Sequence, residues 1–513
     1  MNAKLAALKS HFANWRAWEF NPIVIKELRQ AVRSWAVPGV LLAFLLVLFL
    51  ATLGFLINSS VNSASRELGA QIFGTFIAIL GFMSVIFIPM YLATRINAER
   101  QESNHDLLYI STLSPERIIR GKFFCGAYIT VLFFSACLPF MAFTNLLRGI
   151  DLPTVFGAMT MLFVAVCVLN MAAIFFACLP LSKGLKMLFT IGGFVFGTGI
   201  FGSFSVARMA MGGGSFFSLG GGGSTLTGWL TFLAIALALV LLFYFLAVAL
   251  IAPPSANRAL PVRLFLTIAW LLTGLWAAWG IVRYSRPELV MPWAMPWLML
   301  LAVALINVIA NHDRLSPRVL RDVPQNPAKR RLAFLFFNGA AGGLLWVTLL
   351  AVLTGALAFG CLLYFSASSA HRSGFTSDTD VYNFITIFIS VTCYALAYAL
   401  AGLFVHRRWL PHRSPKFAAI FALILAGGWA ILPSVVLFFA NHLSWSTLEK
   451  FQPGNLFNAF SLKNSADQYL HVICSAALLL VALLLNARWF AAQWKNFRPL
   501  EPRTDFTQPP PLP

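Results

Sequence analysis

The chain has 513 residues, 59% of them hydrophobic and only 11% charged, with a formal net charge of +20. A soluble globular protein carries about 25% charged residues. This composition, with a mean hydropathy of +0.79, excludes a soluble fold and points to an integral membrane protein.

A helix needs about 20 apolar residues to cross a bilayer, and many runs here reach that length. The period-two alternation of a membrane barrel is absent. Backbone groups in lipid must pair within their own segment, which leaves helices as the spanning element. The expected fold is therefore all-α and polytopic, with about twelve transmembrane helices. Their limits fall near 37–57, 71–94, 123–147, 155–180, 187–207, 227–252, 263–282, 289–310, 335–365, 381–405, 416–440 and 468–487. The ninth is overlong and is expected to begin as an interfacial stretch.

The charges test that arrangement. With both termini on one side, that side holds 29 of the 37 basic residues and the other side 8. None falls in the middle of a span. The asymmetry is what the positive-inside rule predicts for an even number of spans with both ends cytoplasmic. The net charge thus reports topology; nucleic-acid binding is excluded because the cations flank spans and form no soluble domain.

In chain order, residues 1–36 come first. Within "EFNPIVIKELRQAVRSW", Asn21 is a good N-cap and Pro22 suits the first helical position. Ile25, Leu28, Val32 and Trp35 repeat at helical spacing and make one face. Lys26, Glu27, Arg29, Gln30 and Arg33 make the other. Such a helix is expected to lie flat on the cytoplasmic surface. The apolar run that follows begins some 36 residues in and is of full span length, so it reads as an uncleaved signal anchor.

After the second span comes "ERQESNHDLLYISTLSPERIIRGK", residues 99–122, with eight charged side chains and His105 between two apolar runs. Glu102 to Leu113 is expected to form a short helix with apolar Leu107, Leu108, Ile110 and Leu113. Ser114 is expected to cap a second helix, with Pro115 at its first position. Glu116 falls in the first turn, where the helix dipole favours an anion. Arg117, Arg120 and Lys122 follow near the membrane surface. A charged element with exposed apolar residues suits the docking of a soluble partner. The competing reading is a hairpin that only joins two spans and anchors on anionic lipid.

The Gly-rich stretch 211–224 reads as a flexible external loop. The proline-rich residues 491–513 read as a disordered cytoplasmic tail. Two halves are expected: 37–255, carrying the loop 95–122, and 256–490, carrying the loop 311–333. One echo supports duplication. Asn104-His105-Asp106 and Leu113-Ser114-Pro115 in the first loop recur as Asn311-His312-Asp313 and Leu315-Ser316-Pro317 in the second.

Several function classes lack their residues. All Asp and Glu can be placed in loops or tails, whereas a coupled secondary transporter usually keeps an intramembrane carboxylate. The histidines are scattered, without metal-ligand spacing. Gly121-Lys122 lacks the rest of a phosphate loop, and no catalytic triad can be assembled. The seven cysteines lie in or beside spans and imply no disulfide framework. Asn170, Asn307 and Asn338 are read as polar residues within spans, serving packing or a substrate path.

The order of features resembles the membrane subunits of type-two ATP-binding-cassette (ABC) transporters. In that family an interfacial helix with an Asn-Pro and Lys-Glu-Leu pattern leads into the first span, as "NPIVIKELRQAVRS" does here. The coupling element after the second span is matched by Glu99-Arg100, Leu107-Leu108, Thr112-Leu113-Ser114-Pro115 and Gly121-Lys122. "SNHD" stands where the family often has Gly-Thr-Leu-Glu. The resemblance covers residues 1–255; the second half shares only the topology and the echo.

It implies a permease subunit, an exporter of a bacterial inner membrane, that is not itself an enzyme. Two copies of a cytoplasmic ABC ATPase would dock on it, and ATP would be bound by that partner and not by this chain. The implied docking residues are Glu99, Arg100, Leu107, Leu108, Ser114, Pro115, Glu116, Arg120 and Lys122. Those of the interfacial helix are Asn21, Pro22, Lys26, Glu27, Leu28 and Arg29. Membrane lipid is a further partner. A pore can form from one chain's two halves or from two permease copies. The alternatives are a non-transporting membrane scaffold or assembly factor and, behind it, a secondary transporter.

Overall fold

The computed structural model describes residues 22–59, 65–101, 114–147, 150–179, 225–253, 255–284, 287–311, 315–367, 378–439, 452–460 and 465–499. All regular structure among them is helical. Eleven of these helices are long and apolar enough to cross a membrane, so the chain is a polytopic all-α membrane protein. The expected fifth span, 187–207, lies outside the described residues. The chain divides into two compact units, Met1–Ala252 and Pro253–Pro513.

The first unit contains α1 (Pro22–Arg33), α2 (Ala36–Ser59), α3 (Ser65–Gln101), α4 (Pro115–Leu146), α5 (Leu152–Cys178) and α6 (Thr225–Ile251). Helices α3, α4 and α5 pack on one another, α5 packs on α6, and α1 lies across α4. Aromatic rings fill the interior: Phe44 meets Phe133 at 5.5 Å and Phe76 meets Phe140 at 5.9 Å between centroids. Tilted and edge contacts of this kind favour the ring quadrupoles. Gly126 lets α3 and α4 close up, since a Cβ there would stand 2.5 Å from Leu92 Cδ1. Hydroxyls inside this apolar packing bond to their own helix, as Ser84 Oγ donates to the Leu80 carbonyl at 2.6 Å and Thr130 Oγ1 to that of Gly126 at 2.8 Å. Each removes the cost of an unpaired polar group. Outward, Leu42, Leu46, Phe49, Leu50 and Leu53 of α2 are exposed. Lipid is the solvent that accepts such a surface.

The second unit contains α7 (Ala259–Tyr284), α8 (Met291–Ile309), α9 (Pro317–Arg321), α10 (Pro327–Phe336), α11 (Ala340–Ala367), α12 (Asp378–Trp409), α13 (Lys416–Phe439) and α14 (Ser465–Asn496). Helix α12 is central: it packs on α13, α14, α8 and α11. Indole N–H groups find hydroxyl acceptors on facing helices. Trp270 Nε1 donates to Thr354 Oγ1 at 2.8 Å, Trp346 to Thr267 at 2.9 Å and Trp297 to Thr273 at 2.9 Å.

The overlong ninth span resolves into two helices. Asn326 caps α10, its Oδ1 accepting from Ala328 N at 3.0 Å, and Pro327 takes the first position. The chain then turns through Phe337–Gly339, where Gly339 has φ +124°, a region that favours glycine. Asn338, expected within a span, lies in this elbow. Its Oδ1 accepts from Ala259 N at 2.8 Å and its Nδ2 donates to the Ala256 carbonyl at 2.9 Å. Helix α11 starts as Ala340-Ala341-Gly342-Gly343, and the glycines leave room for α10 to fold back. A Cβ on Gly342 would overlap the Phe334 carbonyl oxygen. Helix α14 runs to Asn496, past the expected start of the tail at 491. Phe497 beyond it is buried against Phe334 and Phe337 at 5.2 and 5.4 Å. That apolar contact keeps residues up to Phe497 in the fold.

The two kinds of glycine in α11 give a direct test. Gly342→Ala places a methyl on backbone that cannot move without opening the elbow, and should destabilise by about 1–3 kcal/mol. Gly360 has open space around it, so Gly360→Ala should be neutral or stabilise by up to about 1 kcal/mol. Thermal unfolding in detergent reads both; equal effects would contradict the elbow.

Candidate functional site

Helix α1 is amphipathic, but its buried face differs from the expected one. Val24, Glu27 and Ala31 are buried, Leu28 is half-buried against the first unit's core, and Ile25, Val32 and Trp35 remain exposed. Glu27, assigned to the polar face by its spacing, therefore points inward. The reason stands two turns into α4. Lys122 Nζ donates to Glu27 Oε1 at 2.8 Å and to Glu99 Oε2 at 2.6 Å, and Lys26 Nζ lies 3.5 Å from Glu99 Oε1.

These four groups form a gradient of burial. The side chains of Lys122 and Glu27 are each 7% exposed, Glu99 is 29% and Lys26 is 59%. Two ammonium and two carboxylate groups leave the cluster neutral, which is the condition for keeping charge out of water. Around it, Arg95 Nη2 donates to Gln30 Oε1 at 2.9 Å and Arg95 lies over the Tyr91 ring at 5.9 Å. Ile96, Ile119 and Cys125, each three residues along the helix from Glu99 or Lys122, are buried in the first unit's core. The cluster thus ties α1 to the end of α3 and the start of α4. Those are the two helices that flank the charged segment.

The start of α4 forms as its sequence predicts. Ser114 Oγ accepts from Arg117 N at 3.4 Å, Pro115 takes the first position and Glu116 falls in the first turn. Ile118 and Ile119 anchor this turn inside, while Ser114, Glu116, Arg117 and Arg120 are exposed. Arg120 Nε donates to the Glu116 carbonyl at 3.4 Å.

Of the sequence-derived site residues, the structure brings together Lys26, Glu27, Glu99 and Lys122. Pro22 starts α1, and Arg29 is exposed upon it. Ser114, Pro115, Glu116 and Arg120 belong to the adjoining turn, outside the ion cluster. Asn21, the side chain of Arg100, and the segment 102–113 with Leu107 and Leu108 lie outside the described residues. The second loop repeats the cap: Ser316 Oγ accepts from Val319 N at 3.4 Å and Pro317 follows. There the helix is only five residues long.

Two polar sites escaped the sequence reading. Arg263, placed there as a loop cation, is 3% exposed. Its Nη1 donates to the carbonyls of Leu335 and Phe337 at 2.8 and 2.7 Å, and its Nη2 to that of Gly339 at 3.2 Å. Carbonyls at a helix C-terminus carry partial negative charge, so the end of α10 serves as counter-ion. The second site joins α12, α14 and residues 452–460. His471 Nδ1 faces Tyr394 Oη at 3.1 Å and its Nε2 faces Asn458 Oδ1 at 2.9 Å. Asn458 Oδ1 also accepts from Gln452 N at 3.0 Å, and Tyr398 Oη donates to the Gly454 carbonyl. Histidine, asparagine and tyrosine far apart in sequence gave no spacing signal.

Asn170 is fully buried, its Nδ2 donating to Thr130 Oγ1 at 3.2 Å, which joins α5 to α4. Asn307 is exposed on α8. No family model, curated protein or solved structure matches the chain.

The burial gradient predicts unequal costs. Lys122→Met leaves two carboxylates without their buried partner and should lose about 3–5 kcal/mol. Lys26→Ala removes a solvated pair and should lose at most about 1 kcal/mol. Unfolding of both variants in the same detergent measures the difference; equal losses would mean that burial does not set the strength of the cluster.

Proposed function

We propose that the chain is the permease subunit of an ATP-driven transporter of the type-two ABC class, exporting its substrate across a bacterial inner membrane. On this reading, a separate cytoplasmic ATPase, in two copies, docks on the helices around residues 95–122. ATP is bound and hydrolysed by that partner; this chain holds no cofactor and performs no chemistry. The observation that carries the reading is the Lys122 cluster. A push on the segment between α3 and α4 acts directly on Glu99 at the end of one helix and on Lys122 near the start of the other. Through Glu27 it also reaches the interfacial helix that leads into α2. A solvated loop between two spans needs no such linkage; a docking element that must move three helices does.

The loop 311–333 is the second docking position in this proposal. Its capped Ser316-Pro317 turn supports a common origin with Ser114-Pro115. Neither the spans nor the buried polar groups single out a substrate. Apolar walls fit an amphipathic or lipid-like cargo.

Leu107→Asp and Ser114→Arg should each abolish recovery of the ATPase with tagged permease from native membranes, while the permease still inserts. Mass spectrometry of the wild-type pull-down should find a stoichiometric subunit with nucleotide-binding motifs. Recovery of no ATPase under gentle conditions, or equal recovery with both variants, would overturn the proposal. The scaffold reading would then take its place.

A further inference from the structure

We infer that α10 is a membrane-surface helix that binds anionic phospholipid headgroups, with Lys329 and Arg331 as the headgroup ligands. The helix has two apolar faces. One carries Phe334, which packs on Phe490, Trp494 and Phe497 at 6.4, 5.0 and 5.2 Å. The other carries Ala328, Leu332, Leu335 and Phe336. Leu332 on that face is 61% exposed, and none of the four belongs to the aromatic cluster behind α10. At 100° per residue this second stripe is centred about 145° from Phe334, and Lys329 and Arg331 flank it at about 80° on either side.

That arrangement identifies the occupant. Long basic side chains beside an apolar stripe bury their stems and lift their charges to headgroup level. Helix α10 ends four residues before α11, a candidate span from Ala340, so it lies at a membrane surface by connectivity. Arg263 and the elbow at Gly339 fix its direction there. The local charge is one-sided. Arg318, Arg321, Lys329, Arg331, Lys495 and Arg498 are exposed on α9, α10 and the end of α14, against a single described carboxylate, Asp322. No ion pair among the described residues involves Lys329, Arg330 or Arg331. A soluble partner would have to cover Leu332 at the level of the lipid; an anionic lipid satisfies the stripe and both flanking charges together. Within the loop 311–333 the lipid takes α10, which leaves α9 and its Ser316-Pro317 turn to the ATPase docking proposed above.

The test uses the full chain in detergent micelles, with phosphatidylglycerol or phosphatidylcholine added and bound lipid counted by native mass spectrometry. The wild type should bind phosphatidylglycerol more tightly. Lys329→Gln/Arg331→Gln should lose about thirtyfold of that preference, from two interfacial cations. Arg283→Gln, on an exposed cation at the far end of α7, should keep it. Should the double variant fail to fold, the wild type still decides. Phosphatidylglycerol should raise its melting temperature above that in phosphatidylcholine, and high salt should erase the difference. Equal binding of both lipids, an unchanged preference in a folded double variant, or a salt-independent difference would overturn the inference.

Discussion

Lys122 sits where the first unit is organised. Its ammonium group reaches Glu27, 95 residues earlier in the chain, and Glu99, 23 residues earlier. Three elements that share no local sequence are thereby held at one point. The electrostatics permit little else. A buried ion without a partner is costly, so once α3 and α4 pack through Gly126 and Leu92, Lys122 must find carboxylates within reach. Glu99 comes from the neighbouring helix. Glu27 comes only if α1 lies across α4 with its Val24, Glu27 and Ala31 side turned in. The exposure of Ile25, Val32 and Trp35 follows from that orientation, and so does the line the chain takes into α2.

The second unit meets the same demand with different chemistry. Arg263 also lies near the start of a long helix and also holds a short helix in place, but no carboxylate among the described residues pairs with it. Its planar fork takes three carbonyls at the end of α10 instead. Guanidinium suits this task because it presents several fixed donors and sheds water more easily than an ammonium. The turn it grips depends on Gly339 and on the missing side chain of Gly342. Among the described residues, each unit thus has a buried cation, Lys122 or Arg263, that holds a short helix against a longer one. In the first the counter-charge is a pair of side chains; in the second it is a helix terminus.

Local and compositional features were legible in the sequence. Apolar length found eleven of the expected spans, although α3, α4 and α14 run six to nine residues past the expected limits on at least one side, and Ser114-Pro115-Glu116 announced the cap that starts α4. Interactions across the chain were not. Periodicity put Glu27 on the polar face of α1, because a helical wheel cannot see a lysine 95 residues away. Arg263 stood at the edge of an apolar run and looked like any flanking cation. The elbow after α10 was hidden in an unbroken apolar stretch, although Asn338-Gly339 and Gly342-Gly343 carried a turn signal inside it. The contacts among Tyr394, His471 and Asn458 depend on α12, α14 and a short connecting segment meeting, which no single stretch encodes.

The central claim is that the Lys122 cluster holds α1 against α3 and α4. Hydrogen exchange in lipid nanodiscs tests it most directly. In Lys122→Met, the amides of residues 26–33, which bond within α1, should lose protection while those in the middle of α4 keep theirs. Unchanged protection of α1 in that variant would mean that apolar packing alone positions that helix, and the account would fail at its base.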